Sequence, residues 1–104
     1  MYSIISNEKR CYVYILTNKW KTVLYIGVTA SLSKRVLEHK EKAHPTSFTA
    51  KYQCDILIYY KAFQHIEEAI AEEKRLKGLN KSKKIEIIEK LNPEWDDLLL
   101  SLEE

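Results

Sequence analysis

Hydrophobic positions along this chain fall into three short runs and a set of helical stripes. Cys11–Thr17 is aromatic and β-branched and predicts a strand. Asn18–Thr22 is polar and predicts a turn, and Val23–Val28 predicts a second strand. A hairpin turning at Lys19–Trp20 sets Tyr14 roughly opposite Tyr25. A first helix follows from about Ser33 to Ala43, with Leu32, Val36 and Ala43 on its stripe. Ser31 or Ser33 can cap it, and it ends before Pro45. Asp55–Lys61 is apolar almost throughout and predicts a third strand. Gln64–Lys77 carries Ile66, Ala69, Ile70 and Leu76 at helical spacing, with Gly78 as a natural C′ residue. Asn80 caps another helix to about Leu91, whose stripe is Lys84, Ile87, Ile88 and Leu91, the lysine snorkelling. After Asn92-Pro93, Trp95, Leu98, Leu99 and Leu102 share one face, read as core in a domain this small rather than as a dimer contact. The order β-β-α-β-α-α predicts an α+β fold: a small α/β sandwich of a three-stranded antiparallel sheet with helices packed on it.

Two stripes carry the wrong chemistry for a plain core. Glu73 sits in the middle of the Ile66–Leu76 stripe, three residues after Ile70. A buried carboxylate needs a cation, a hydrogen-bond network or a metal. Arg35 and His39 lie on or beside the stripe of the first helix, one turn apart. Arginine, histidine and glutamate aimed inward from two helices suggest a reaction centre.

The totals narrow the class. At 104 residues the chain is one domain, 1–104, with its core from about 10 to 99. Hydrophobic residues make up 45%, which argues against disorder, and a net charge of +2 is too mild to identify a nucleic-acid binder. The distribution says more: Glu67, Glu68, Glu72 and Glu73 precede Lys74, Arg75, Lys77, Lys81, Lys83 and Lys84. A basic stretch beside a carboxylate suits a phosphate chain, although solvated faces with salt bridges are commoner. Cys11 and Cys54 form no CxxC pair, and no zinc framework is visible. Residues 1–10 lack the apolar core of a signal peptide, and no apolar run is long enough for a bilayer, so a cytoplasmic location without membrane contact is expected.

The ordered series Tyr12-Val13-Tyr14, Tyr25-Ile26-Gly27, Arg35, His39, Glu73 and Asn92 resembles a GIY-YIG nuclease domain over about residues 10–99. The tail KKIEIIEKLNPEWDDL is similar to that of short, stand-alone bacterial members, sometimes described as excinuclease-like. Tyr12 departs from the pattern, standing where the family name has glycine.

The resemblance implies a metal-dependent endonuclease that hydrolyses DNA phosphodiester bonds with low sequence specificity or structure selectivity. It assigns catalytic roles to Tyr14, Tyr25, Arg35, His39, Glu73 and Asn92. Glu73 is the one carboxylate on Mg²⁺ (or Mn²⁺), and Tyr14 is the general base, helped by Arg35 and the ion or by His39. Gly27 is structural, because a side chain there crowds the cleft. Lys34, Lys74, Arg75, Lys77, Lys81 and Lys84 line the nucleic-acid groove. Lys40, Lys42 and Lys51 can join it, and Phe48 or Tyr52 can stack on a base. DNA is the expected substrate, with RNA, a homodimer and a helper protein left open. The alternative is a weak or inactive nucleic-acid-binding module, motivated by Tyr12. Taken singly, the tyrosines are sheet aromatics, His39 a half-buried histidine, Arg35 a surface residue and Asn92 a cap for the turn at Pro93. As an ordered set they argue for a site.

Overall fold

The computed structural model describes residues 10–42 and 46–102. Strands β1 (Cys11–Thr17), β2 (Leu24–Thr29) and β3 (Ile56–Phe63) form one antiparallel sheet in the order β2-β1-β3. Helix α1 (Leu32–Lys40) and a short α2 (Phe48–Lys51) follow β2, and α3 (Ile66–Gly78) and α4 (Lys81–Leu91) follow β3. A 3₁₀ turn, Leu98–Ser101, closes the chain. The α+β sandwich and its element order are as the sequence predicts. The four-residue α2 is an addition, and Ala43 and Pro45 lie outside the described residues.

Every residue of β1 is buried, because the central strand is covered on both faces. That is why its sequence is apolar throughout rather than alternating. Cys11, Val13 and Ile15 join Ile26, Ile58, Ala69, Leu76 and Ile88 under α3 and α4. Tyr12, Tyr14 and Leu16 join Leu32, Val36, Cys54 and Leu57 under α1, with Leu98, Leu99 and Leu102 packed against them. Trp95 packs instead on the α3–α4 side, so the tail finishes the core from two faces, not from the one face expected of it. Asp97 anchors this tail: its carboxylate accepts from Lys40 Nζ at 2.8 Å and from the backbone of Leu57 and Leu99.

Three local expectations change. The hairpin turns later than Lys19–Trp20, because the Asn18 amide organises a wider loop: its Oδ1 accepts from Thr22 N at 2.9 Å and Lys21 is left-handed at φ 58°. Tyr14 therefore faces Gly27, and Tyr25 faces Leu16. A shift of two residues keeps Tyr25 on the Tyr14 face, where a shift of one would have reversed it. Gly78 is the last helical residue with no left-handed turn, since Leu79 and Asn80 are extended and Asn80 at once caps α4 through Lys83 N. Finally, Ile66, Ile70 and Leu91 are exposed, and the inward line of α3 is Ala69 and Leu76.

Candidate active site

The sheet face under α1 gathers four of the singled-out residues. Tyr14 Oη lies 3.3 Å from His39 Nε2, and His39 Nδ1 lies 2.7 Å from Thr49 Oγ1. An Nδ1–H donating to Thr49 leaves Nε2 to accept from the Tyr14 hydroxyl. Ring centroids are 6.2 Å apart for Tyr14–Tyr25 and 5.7 Å for Tyr25–His39. Arg35, one turn before His39, is half exposed with its Nε 3.3 Å from Glu38, and it acts electrostatically on Tyr14. Burial raises the Tyr14 pKa above the ordinary phenol value, Tyr25 adds to the rise, and Arg35 opposes it. Tyr14 is thus a neutral phenol at neutral pH.

Gly27 is where the sheet lets Tyr14 in. A Cβ at Gly27 would lie 2.6 Å from Tyr14 Oη and 2.7 Å from Cζ. Tyr12, the departure from the motif, turns to Tyr60 of β3 at 6.3 Å in an edge-on pair, away from Tyr25. It takes a core position in the sheet.

Beside Arg35, a pocket of about 200 Å³ is lined by Thr29, Ala30, Ser31, Lys34, Arg35 and Glu38. Ser31 occupies the N-cap of α1 without a side-chain cap bond. The positive end of a helix, Arg35 and Lys34 favour an anion there, against the one carboxylate of Glu38 that pairs with Arg35.

Glu73 belongs to α3, on the other side of the sheet. Its neighbour Glu72 faces Tyr59 and Lys61 of β3 and is held by Arg75 through two bonds of 2.9 and 2.8 Å, which lower its pKa. Glu73 is about 100° further round the helix, on the flank away from Tyr59. Helix α3 also packs on β2, the edge strand that carries Tyr25. The direct polar partner of Glu73 among the described residues is Lys77 at 3.1 Å. The side chain is 21% exposed against 13% for Glu72. Glu72 is the better-buried acid, yet its charge is engaged by arginine through two bonds, while Glu73 meets an exposed lysine.

Asn92 is placed apart from the cluster. It caps the C-terminus of α4, and its Nδ2 donates to Ile58 O at 3.1 Å and Asp96 O at 2.9 Å. Its Oδ1 accepts from Asp96 N at 3.1 Å. Ile58 is the extra residue where the β1–β3 register shifts, so its carbonyl lacks a ladder partner and Asn92 supplies one. Asn92→Ala orphans these groups at about 1–3 kcal/mol each, so the expected result is a large drop in denaturation midpoint. Should the variant keep its stability and lose only activity, the architectural role is wrong.

The basic residues divide. Lys34 lines the Arg35 pocket, and Lys74 is exposed. Lys81 Nζ donates to Thr22 O at 3.5 Å, and Lys84 is half-buried as a snorkelling lysine should be. Arg75 and Lys77 are engaged by Glu72 and Glu73. Lys40 spans Asp55 O and Asp97. Sequence reading had no means of finding Thr49, because α2 is too short to leave a periodic pattern.

The comparisons agree with this geometry. The family described as the GIY-YIG catalytic domain matches residues 10–86. A solution NMR structure of the UPF0213 protein BH0048 from Bacillus halodurans is similar at a TM-score of 0.55 and 26% identity, covering 85% of this chain and 92% of that one. No curated protein matches. With the tyrosines on adjacent strands and the arginine and histidine on the next helix, the chain belongs to the GIY-YIG catalytic domain family.

Proposed function

We propose that the chain is a metal-dependent endonuclease that hydrolyses DNA phosphodiester bonds with low sequence specificity or structure selectivity. The observation that carries this reading is the Thr49–His39–Tyr14 chain beside Tyr25 and the Arg35 pocket. A phosphate in that pocket meets Arg35, Lys34 and the amides of α1. The arginine fork suits two phosphate oxygens and the charge they gain. Tyr14 and Tyr25 hold the attacking water. Because the buried Tyr14 stays a neutral phenol, a proton taken from water has to leave Tyr14 for His39 Nε2, and Thr49 holds the imidazole in the accepting tautomer.

Glu73 fits a hard cation. Among the described residues no three His, Cys, Asp or Glu converge, so a zinc cage has no donors there. One partly exposed carboxylate suits Mg²⁺ (or Mn²⁺), which keeps most of its waters. When bound, such an ion supplies charge neutralisation on the phosphate and a more acidic water. Lys74, Lys81 and Lys84 extend the basic surface along the substrate, whereas Arg75 and Lys77 stay with their carboxylates.

Tyr14→Phe tests the reading. Cleavage is expected to fall by about 10²–10⁴-fold while DNA binding stays. A wild-type rate would remove Tyr14 from the path of the water. The same variant also reports on stability. A raised phenol pKa stabilises the fold below the ordinary tyrosine value, and that contribution is lost as pH rises through the folded value. Tyr14→Phe should therefore lose less stability at the alkaline end than wild type.

A further inference from the structure

Helix α2 sets two large aromatic side chains in solvent at the rim of this cluster. Phe48 is 48% exposed and Tyr52 is 40% exposed. Their rings adjoin at 4.7 Å, and Phe48 lies against Tyr25 at 6.1 Å with only 30° between the planes. Tyr25, Phe48 and Tyr52 thus form an aromatic run with one end beside His39 and the other in water. Scattered exposed rings are ordinary on protein surfaces, but a contiguous run leading out of a polar cluster is not.

The run is held in place. Ser47 caps α2 through Ala50 N at 3.2 Å, the Thr49 carbonyl accepts from Cys54 N at 2.8 Å, and Thr49 itself binds His39. The Asn18 amide reaches the Tyr52 carbonyl at 3.4 Å. Charge accompanies it: Lys51 Nζ lies 5.4 Å from the Tyr52 ring centre. Half-exposed rings beside a lysine fit a chain of flat, apolar groups linked by anions.

We propose that Phe48 and Tyr52 form a stacking platform for unpaired bases of a single-stranded nucleic acid entering the site. This deepens the nuclease reading and rests on it. Stacking is indifferent to sequence, since every base has a flat face, and a closed duplex offers none. The platform therefore selects substrates with an unpaired stretch next to the cleaved bond, such as a flap or a junction arm.

The test is fluorescence anisotropy with a labelled DNA single strand and the duplex of the same sequence, in chelator so that nothing is cut. Phe48→Ala is expected to weaken single-strand binding by about 5–150-fold and to leave duplex binding unchanged. Phe48→Trp should restore it. Tyr52→Ala, at the outer end of the run, should weaken it in the same selective way and serves if Phe48→Ala fails to fold. Equal losses on both probes, no loss, or a wild type that does not bind the single strand would overturn the platform. Failure of the nuclease reading looks different: Phe48-dependent single-strand binding without cleavage in Mg²⁺ or Mn²⁺.

Discussion

Glu73→Ala removes cleavage, by about 10²–10³-fold or more, and leaves the protein folded. The two halves of this result have separate causes. Activity goes because Glu73, unlike Glu72, is a half-buried carboxylate that no arginine holds. With it goes the proposed anchor for a divalent ion. Stability stays because the Glu73–Lys77 contact is an i,i+4 surface pair whose lysine is mostly in water. Such pairs are worth about 0–1 kcal/mol, and alanine is the better helix former. Cleavage rate in Mg²⁺ and a thermal melt on the same sample check both halves. Glu72→Ala is the informative partner: it frees Arg75 from a two-bond clamp, so it should cost more stability and much less activity. A Glu73→Ala protein that cuts at the wild-type rate would move the metal role elsewhere.

Gly27→Ala is expected to disable the protein without removing any polar group. The new methyl would stand 2.6 Å from Tyr14 Oη and 3.0 Å from Cε1. Tyr14 is fully buried, with Tyr25 and His39 against it, so the ring has no room to step aside. Either the strand shifts or the hydroxyl leaves His39. Overpacking of this kind costs about 1–3 kcal/mol. The activity loss should exceed what that destabilisation explains, and it should approach that of Tyr14→Phe when measured well below the melting temperature. Native stability together with native activity would show that the sheet yields more easily than the geometry allows. Close approach alone makes the position intolerant, since Gly27 has no positive φ.

Which parts were legible beforehand follows from what each signal measures. Strand β1 was read to the residue, because a centre strand buried on both faces is a continuous apolar run. The α3 stripe was misjudged at Ile66 and Ile70, since spacing reports an apolar arc but not where its centre points. The sheet is touched by Ala69 and Leu76, and the two flanks of that line are acids, which is why Glu73 looked anomalous at all. The register of Tyr14 and Tyr25 depended on a turn that Asn18 widens through its side chain, a contact invisible to pattern. Their shared face survived because the error was an even number of residues. Asn92 could not be resolved from sequence, as a cap and a site residue ask for the same amide. Its bond to the bulged Ile58 carbonyl exists only once β3 is in register. Family resemblance brought Tyr14, Tyr25, Arg35 and His39 into one set, and the fold brings those four to one sheet face.

On the proposed reading, this face of the sheet hydrolyses nucleic acid. The most direct measurement is cleavage of labelled single-stranded, duplex, nicked and branched DNA by the wild-type protein, in Mg²⁺ or Mn²⁺ and again in chelator, with the ends of the products identified. The account predicts metal-dependent cutting that leaves a 5′-phosphate and a 3′-hydroxyl and is fastest where a strand is unpaired. Binding of these DNAs without turnover in either metal would contradict it and make the chain a binding module instead.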